Sequence, residues 1–296
     1  MIPPVRRLVA ENPGLTGYMR HRAGASGAPA AAPDPEAWSP LERVSPYLVF
    51  AVVKSEDPYF FRHRGIYWPT LRRALGDALR GRRGPGGSTL TQQLARNLYL
   101  SPERKVSRKL RETLAALRME RALSKARILE LYLNVVEWGD GIWGIRAAGE
   151  HYFARLPDGL DAFESAVPAS LLPAPLRPLA GRNATRAWWV QRYVLFQLYN
   201  LGLLSAAEWR AGVAKSTSLC RLTHAGVALP EAVGRLRDAL PAPVPAEGGG
   251  LSVRDLVADG CGVERHVRFA DAIRRWEEIR RAGRRGAGSA SPGSVA

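Results

Sequence analysis

A carboxylate at the end of an apolar segment is the first residue of this sequence that could do acid–base chemistry. Glu56 and Asp57 follow the apolar stretch from Tyr47 to Lys54 almost directly. A carboxylate that leaves a core segment is costly to bury without a partner, and burial raises its pKa and suits it to general acid or base work. A helix cap or an ion pair with an arginine would also explain Glu56, and these residues alone leave the choice open.

A helix start further along carries more hydrogen-bonding side chains than a cap requires. Thr89-x-x-Gln92 is typical of a capping box, in which a hydroxyl and an amide satisfy free backbone N–H groups reciprocally. The other polar side chains fall at helical spacing along one side, and a helix N-terminus also favours anions. The stretch predicts a cap, or one wall of an anion or sugar site, made of Ser88, Thr89, Gln92, Gln93, Arg96 and Asn97.

A second glutamate lies in a run of cations. Arg104, Arg108 and Glu112 stand at i, i+4 and i+8 of a predicted helix, with Arg111 beside them. Like charges four residues apart cost a helix about 0.2–0.5 kcal/mol, and an Arg108–Glu112 pair offsets about as much. Guanidinium groups around one carboxylate indicate either a pyrophosphate site or a solvated basic face. Neither metal-ligand spacing, nor a phosphate-binding glycine loop, nor a Ser/His/Asp order stands out in the sequence.

The charge of the chain indicates an anionic partner. Its 296 residues include 43 Lys and Arg against 27 Asp and Glu, which gives a net charge of +16. Nucleic acid, anionic lipid or a phosphorylated substrate would suit this balance. The apolar runs are far shorter than the ~20 residues that cross a bilayer, and no signal-peptide core is visible. Cys220 and Cys261 fix no compartment: they could form one bridge in an oxidising space, but we expect two reduced core residues.

The elements that must position these residues are mostly helices. We expect a mainly α fold with an irregular N-terminal arm (1–39), one dense helical domain (40–204), an extension of unknown role (205–280) and a disordered tail (281–296). No β alternation is convincing. Helices are predicted at 47–54, 70–79, 88–100, 106–123, 124–134, 160–172 and 186–201.

Five motifs follow one another along the chain in a fixed order. They are Glu56-Asp57-x-x-Phe60-x-x-His63-x-Gly65, Gly87-Ser88-Thr89-x-Thr91-Gln92-Gln93-x-x-Arg96-Asn97, Arg108-Lys109-x-x-Glu112, Lys125-x-x-Ile128-Leu129-Glu130-x-Tyr132-Leu133-Asn134 and Gly141-x-x-Gly144-x-x-x-Ala148-x-x-x-Tyr152-Phe153. In this order they resemble the motifs of the peptidoglycan glycosyltransferases, the lysozyme-like domain of class A penicillin-binding proteins. Through Leu172-Pro173-x-Pro175-Leu176-Arg177 the chain is most similar to the monofunctional biosynthetic transglycosylases. The resemblance covers about residues 40–204.

The resemblance implies a two-lobed helical domain with a smaller, membrane-facing lobe, and a reaction that polymerises lipid II. In this family the 4-hydroxyl of an incoming lipid II attacks the growing strand with inversion and releases undecaprenyl pyrophosphate. By motif position Glu56 is the general base, and Glu112 orients the donor or holds its pyrophosphate, with a divalent metal (Mg or Mn) possible. The implied substrate-binding residues are Arg73, Ser88, Thr89, Gln92, Gln93, Arg96, Asn97, Arg104, Arg108 and Arg111.

The implied partners are lipid II, the growing glycan strand, the membrane surface and other cell-wall synthesis proteins, with no nucleic acid. The implied location is the periplasmic face of the bacterial inner membrane. The membrane helix that usually precedes a segment like Asn12-Pro13-x-x-Thr16-x-x-Met19 is not visible. We therefore expect a chain that starts downstream of an anchor, or peripheral membrane binding. The alternative functions are a lysozyme-like glycan hydrolase, a basic nucleic-acid-binding protein and an inactive scaffold for cell-wall assembly.

Overall fold

The computed structural model describes residues 5–26, 35–81, 87–100 and 106–238 of the chain. The predictions for Arg104, for Cys261 and for the segment after residue 238 lie outside these ranges. Within them the fold is mainly α, as the sequence predicts, with one short hairpin. The helices are α1 Gly17–Ser26, α2 Pro46–Glu56, α3 Trp68–Leu79, α4 Leu90–Tyr99, α5 Val106–Ala122, α6 Lys125–Val135, α7 Ile145–Phe153, α8 Ala162–Leu171, α9 Gly181–Asn200, α10 Ala206–His224 and α11 Leu229–Asp238, and the strands are β1 Glu137–Gly139 and β2 Ile142–Trp143.

Helix α2 runs through the centre of the core and delivers Glu56 at its end. Its residues from Leu48 to Lys54 are all buried, and it packs against α8 and α9. A helix that is apolar on all sides is stable only when other elements surround it. The apolar run and helix α2 end together, and Glu56 and Asp57 stand at that end.

Helix α4 lies opposite the end of α2, and the polar stretch that begins at Ser88 continues into it. Leu90, Leu94, Ala95 and Leu98 are buried at helical spacing, and α4 packs against α5, α6 and α1. The apolar residues fix which side of α4 faces the core. Gln93 and Arg96 therefore stay half-buried at its edge.

The hairpin after α6 was not expected from the sequence, because strands of three and two residues are too short to show alternation. It turns the chain into α7 at Gly144, whose φ is +79°. A Cβ there would lie 2.8 Å from the backbone oxygen of Asn134, so this close approach requires glycine.

The N-terminal arm is more regular than the sequence indicated. It contains α1, and Met19 of that helix is buried. A Cβ on Gly17 would lie 3.1 Å from backbone atoms of Leu98 and Tyr99, so α1 lies close against α4. Tertiary contact supplies the stability that a short segment rich in glycine and alanine lacks alone.

Helices α10 and α11 pack onto the same core as the elements before residue 205. Helix α10 lies along α9 and α11 lies against α7. Leu219, Ala232, Val233 and Leu236 are buried in the common apolar cluster. No helix in the described ranges combines the length and the apolar composition that a membrane span needs.

Candidate active site

Glu56 is half-buried at the end of α2 and faces α4. The amide Nε2 of Gln93 donates to Glu56 Oε2 over 2.9 Å. Burial raises the pKa of Glu56 above its ordinary value; the Gln93 hydrogen bond, Arg186 and Arg96 lower it, and Asp57 raises it. The result is a carboxylate with a raised proton affinity that one donor and two cations keep available as a base.

Gln93 is itself held from behind by a buried phenol. The hydroxyl of Tyr132, in the middle of α6, donates to Gln93 Oε1 over 3.0 Å. Asn97 Nδ2 donates to the backbone oxygen of Gln93 over 2.9 Å. Three helices thus meet at one amide.

Asp57, the residue after Glu56, connects the end of α2 to the start of α4. Asp57 Oδ2 accepts the backbone N–H of Leu90 over 3.0 Å and lies 2.9 Å from His63 Nε2. His63 Nδ1 accepts the backbone N–H of Gly65 over 3.1 Å, so the ring proton lies on Nε2 and points at Asp57. Asp57 and His63 are both buried.

The start of α4 is capped as the sequence predicts. Thr89 Oγ1 accepts the backbone N–H of Gln92, and Gln92 Oε1 accepts the backbone N–H of Thr89. Thr89 also donates to the backbone oxygen of Gly65 over 2.7 Å, and Gln92 Nε2 donates to Thr113 over 3.2 Å. Thr89, Gln92 and Asn97 are buried and bonded to protein groups, so their proposed contact with substrate remains a prediction.

Glu112 is surrounded by cations on α5. Its side chain is only 2% exposed, Arg108 Nη1 donates to Oε2 over 2.7 Å, and Lys109 Nζ donates to Oε1. Lys109 also donates to Ser88 Oγ over 2.8 Å, which joins α5 to the residues before α4. Arg108 Nε is buried without a partner among the described residues. The predicted Arg108–Glu112 pair is present, and its second cation is Lys109.

The residues around Glu112 do not form a complete metal site. The described part of the chain has no group of three His, Cys, Asp or Glu side chains that could hold an ion. Both oxygens of Glu112 already accept from Arg108 and Lys109. A divalent ion would therefore share the Glu112 oxygens with these two cations.

An arginine-lined cavity of about 490 Å³ lies beside the end of α8. Arg177, Arg182 and Arg186 line it together with Tyr18 and Asn183. Arg186 donates to Asn183 Oδ1 over 2.7 Å. Burial lowers the pKa of Arg186, Glu56 raises it and Arg177 lowers it. The cavity is therefore cationic and connects electrostatically to Glu56.

The start of α4 joins predicted residues of α2 and α5: Gln93 bonds to Glu56, and Ser88 bonds to Lys109 beside Glu112. Arg73 on α3 and Arg111 on α5 are exposed, Arg96 is half-buried, and Arg104 lies outside the described residues. The candidate site also contains residues for which the sequence predicted no role, namely Asp57, His63, Lys109, Tyr132 and Arg186. The first four stand inside the motifs, which was the available signal. Arg186 has no local signal, because only the packing of α9 on α2 brings it to Glu56.

The family model described as Transglycosylase matches residues 28–198 of the chain. A biosynthetic peptidoglycan transglycosylase of Alcanivorax borkumensis is 43% identical over 192 residues, which cover 63% of this chain and 76% of the relative. The protein of the same name from Aromatoleum aromaticum is 44% identical over 170 residues, 56% of this chain and 73% of the relative. The protein of that name from Nitrobacter hamburgensis is 47% identical over 141 residues, which cover 47% of this chain and 62% of the relative. The matched segment contains α2 to α8 and most of α9, whereas Tyr18 of the cavity lies before it.

Proposed function

The chain belongs to the transglycosylase family, and we propose that it polymerises lipid II into the glycan strands of peptidoglycan. It is a peptidoglycan glycosyltransferase that acts in bacterial cell-wall synthesis at the cell envelope. The lipid carrier, the inverting course and the roles of single residues are parts of the proposal.

Glu56 acts as the general base on the incoming sugar. The 4-hydroxyl of lipid II gives its proton to the Glu56 carboxylate while its oxygen bonds to C1 of the terminal muramic acid of the strand. The bond between C1 and the diphosphate oxygen breaks at the same carbon, and undecaprenyl pyrophosphate leaves from the opposite face. The Gln93 amide with Arg96 and Arg186 supports this role, because they hold an ionised carboxylate in a partly desolvated place.

Glu112 arranges cations for the leaving diphosphate. Alone, Arg108 and Lys109 would repel one another; the buried carboxylate between them holds both at one end of the cleft. Diphosphate oxygens gain negative charge as the C1–O bond breaks, and prearranged cations stabilise that charge. Ser88, Arg73, Arg96, Arg104 and Arg111 complete this basic wall in the proposal.

The cavity beside Arg186 supports a site for the sugar and diphosphate part of one substrate. Its volume of about 490 Å³ is within the range of small-molecule sites. Its guanidinium groups offer planar, bidentate donors to phosphate or carboxylate oxygens. The acceptor must approach Glu56, and Arg186, which lines this cavity, is close enough to Glu56 for the carboxylate to raise the pKa of its guanidinium group.

The membrane and the metal belong to the same proposal. Trp68, Leu110 and Leu114 are 58%, 68% and 46% exposed, and such side chains suit contact with lipid at the periplasmic face of the inner membrane.

Magnesium is usually held by one or two carboxylates together with substrate phosphates. A Mg²⁺ or Mn²⁺ ion would therefore use Glu112 and the diphosphate, and no step above depends on it.

The observation that carries the proposal is the hydrogen bond from Gln93 to Glu56. It favours the ionised form of a carboxylate that also lies near Arg96 and Arg186. The test is incubation of the full chain with labelled lipid II in detergent, followed by separation of the products by size. Glycan polymers are the expected product. Soluble disaccharides released from preformed glycan would instead indicate a hydrolase, and absence of both products would reject the proposal.

A further inference from the structure

We propose that Tyr132 is a positioning residue that orients the Gln93 side chain so that an N–H group, and not the carbonyl oxygen, faces Glu56. The inference rests on the proposed role of Glu56 as the base and extends it to a residue in α6 that makes no direct contact with that carboxylate.

The contacts form one chain of donors from the core to the site. Tyr132 is completely buried, and its hydroxyl lies 3.0 Å from Gln93 Oε1. Gln93 Nε2 lies 2.9 Å from Glu56 Oε2. The three side chains belong to α6, α4 and α2, so the packing of three helices sets the two distances.

The chemistry of the three side chains gives this series of hydrogen bonds a direction. An ionised carboxylate only accepts hydrogen bonds, so Gln93 must present its amide N–H to Glu56 while the base is ready to act. The carbonyl oxygen then faces Tyr132, and the phenol, which donates a hydrogen bond more strongly than it accepts one, stabilises this orientation of the amide. The flipped amide would set its oxygen against the carboxylate, which is favourable only after Glu56 has taken a proton.

The charged and hydrogen-bonding groups that act on the pKa of Glu56 come from the adjoining residue, from α4 and from α9. Asp57 follows it on the chain, Gln93 and Arg96 face it from α4, Arg186 faces it from α9, and Tyr132 lies behind Gln93 on α6. Burial raises the pKa of Glu56, and the Gln93 hydrogen bond opposes that rise. Loss of the phenol weakens the preference for the ordered amide, which favours protonated Glu56 and moves the onset of activity to higher pH.

The experiment compares two tyrosine-to-phenylalanine variants of the full chain. Tyr152 is a matched control, because it is also buried and its hydroxyl donates to the backbone oxygen of Trp138 over 3.3 Å, away from Glu56. We expect Tyr132→Phe to shift the acid limb of the kcat profile upward in pH, with KM unchanged and the rate recovering towards wild type at high pH. Tyr152→Phe should keep the wild-type profile.

A second variant separates orientation from general damage. Gln93→Met removes the donor itself and should lower kcat on the acid limb by about tenfold, since a hydrogen bond to a charged group is worth at least that factor. Tyr132→Phe in the Gln93→Met background should add no further shift. A full additional shift there, or an unshifted profile for Tyr132→Phe alone, would overturn the inference.

Carboxyl NMR titration of Glu56 without substrate makes the test independent of the proposed function. The pKa of Glu56 should rise in Tyr132→Phe and stay at the wild-type value in Tyr152→Phe. A rise in a protein that fails to polymerise lipid II would reject the proposed function and keep the inference. An unchanged pKa in an active enzyme would reject the inference alone.

Discussion

Asp57 accepts the backbone N–H of Leu90 at a distance of 3.0 Å, and this bond sets the register between the two walls of the cleft. Asp57 follows Glu56 directly, and Leu90 precedes Gln93 by about one helical turn. A shift of either helix would therefore separate the base from its donor. The buried carboxylate also accepts from His63, so its position is fixed from two sides.

Asp57→Asn should destabilise the protein and lower its activity. The amide oxygen can still accept from Leu90, but the amide N–H group would replace Oδ1, which lies 3.1 Å from His63 Nε2, and would face the ring N–H as a second buried donor. Such a loss costs about 1–3 kcal/mol. Urea unfolding measures it, and Asp158→Asn, at an exposed position, is the control. Equal midpoints for both variants would contradict the role given to Asp57.

Glu56→Gln should reduce polymerisation while leaving donor binding intact. A glutamine has the same shape but cannot take the proton of the attacking hydroxyl, so kcat should fall by about 10²–10⁴-fold. Lipid II turnover and binding of a donor-site inhibitor are the two measurements. Glu42→Gln, at an exposed position before α2, should behave as wild type. A near wild-type rate for Glu56→Gln would exclude Glu56 as the base.

The same substitution should stabilise the fold at neutral pH. Burial raises the pKa of Glu56, so the folded state binds a proton more tightly than the unfolded state does. Its contribution to stability is present below the unfolded pKa of about 4.3 and is lost as pH rises through the folded pKa. Glu56→Gln avoids this loss, so its melting temperature should exceed that of wild type at pH 7–8 and match it near pH 4. A difference independent of pH would show that another effect dominates.

Local patterns of the sequence predicted what depends on neighbours along the chain. The capping box of Thr89 and Gln92 and the Arg108–Glu112 pair each lie within one helical turn, and both are present. The spacing could not give Tyr132 its role, because its contact with Gln93 depends on how α6 packs against α4.

Long-range packing also explains the cavity and the C-terminal helices. Arg186 reaches Glu56 only because α9 lies against α2, and the period of α9 predicts a helix without telling which neighbour its faces meet. The weak helical signals after Ser205 gave no sign that α10 would bury Leu219 against the core. Because the candidate site ends before α10, we expect the chemistry not to require residues beyond Ser205, provided that the rest of the domain folds.

Arg108→Ala should weaken substrate binding more than Arg118→Ala, an exposed arginine on the same helix. The variant loses a contact with diphosphate and leaves Glu112 with Lys109 as its remaining partner on α5. A charge-assisted contact is worth about 1.5–3 kcal/mol, so the apparent affinity should fall by at least about tenfold. Added salt should weaken wild type more than Arg108→Ala, because the variant has one fewer ionic contact to screen. Identical salt dependence and affinity in wild type and variant would remove Arg108 from the diphosphate site.

Leu219→Ala tests whether α10 belongs to the catalytic domain energetically. Leu219 is 1% exposed within the common core, so its truncation should lower the free energy of unfolding by about 2–5 kcal/mol. The polymerisation rate at a temperature where the variant is folded should stay near wild type, because the candidate site ends before α10. Leu156→Ala, at a side chain that is 50% exposed, is the control for the loss of an apolar group. One cooperative transition at a lower temperature is expected for Leu219→Ala. An unchanged main transition, with a separate early one, would mean that α10 and α11 unfold independently of the rest.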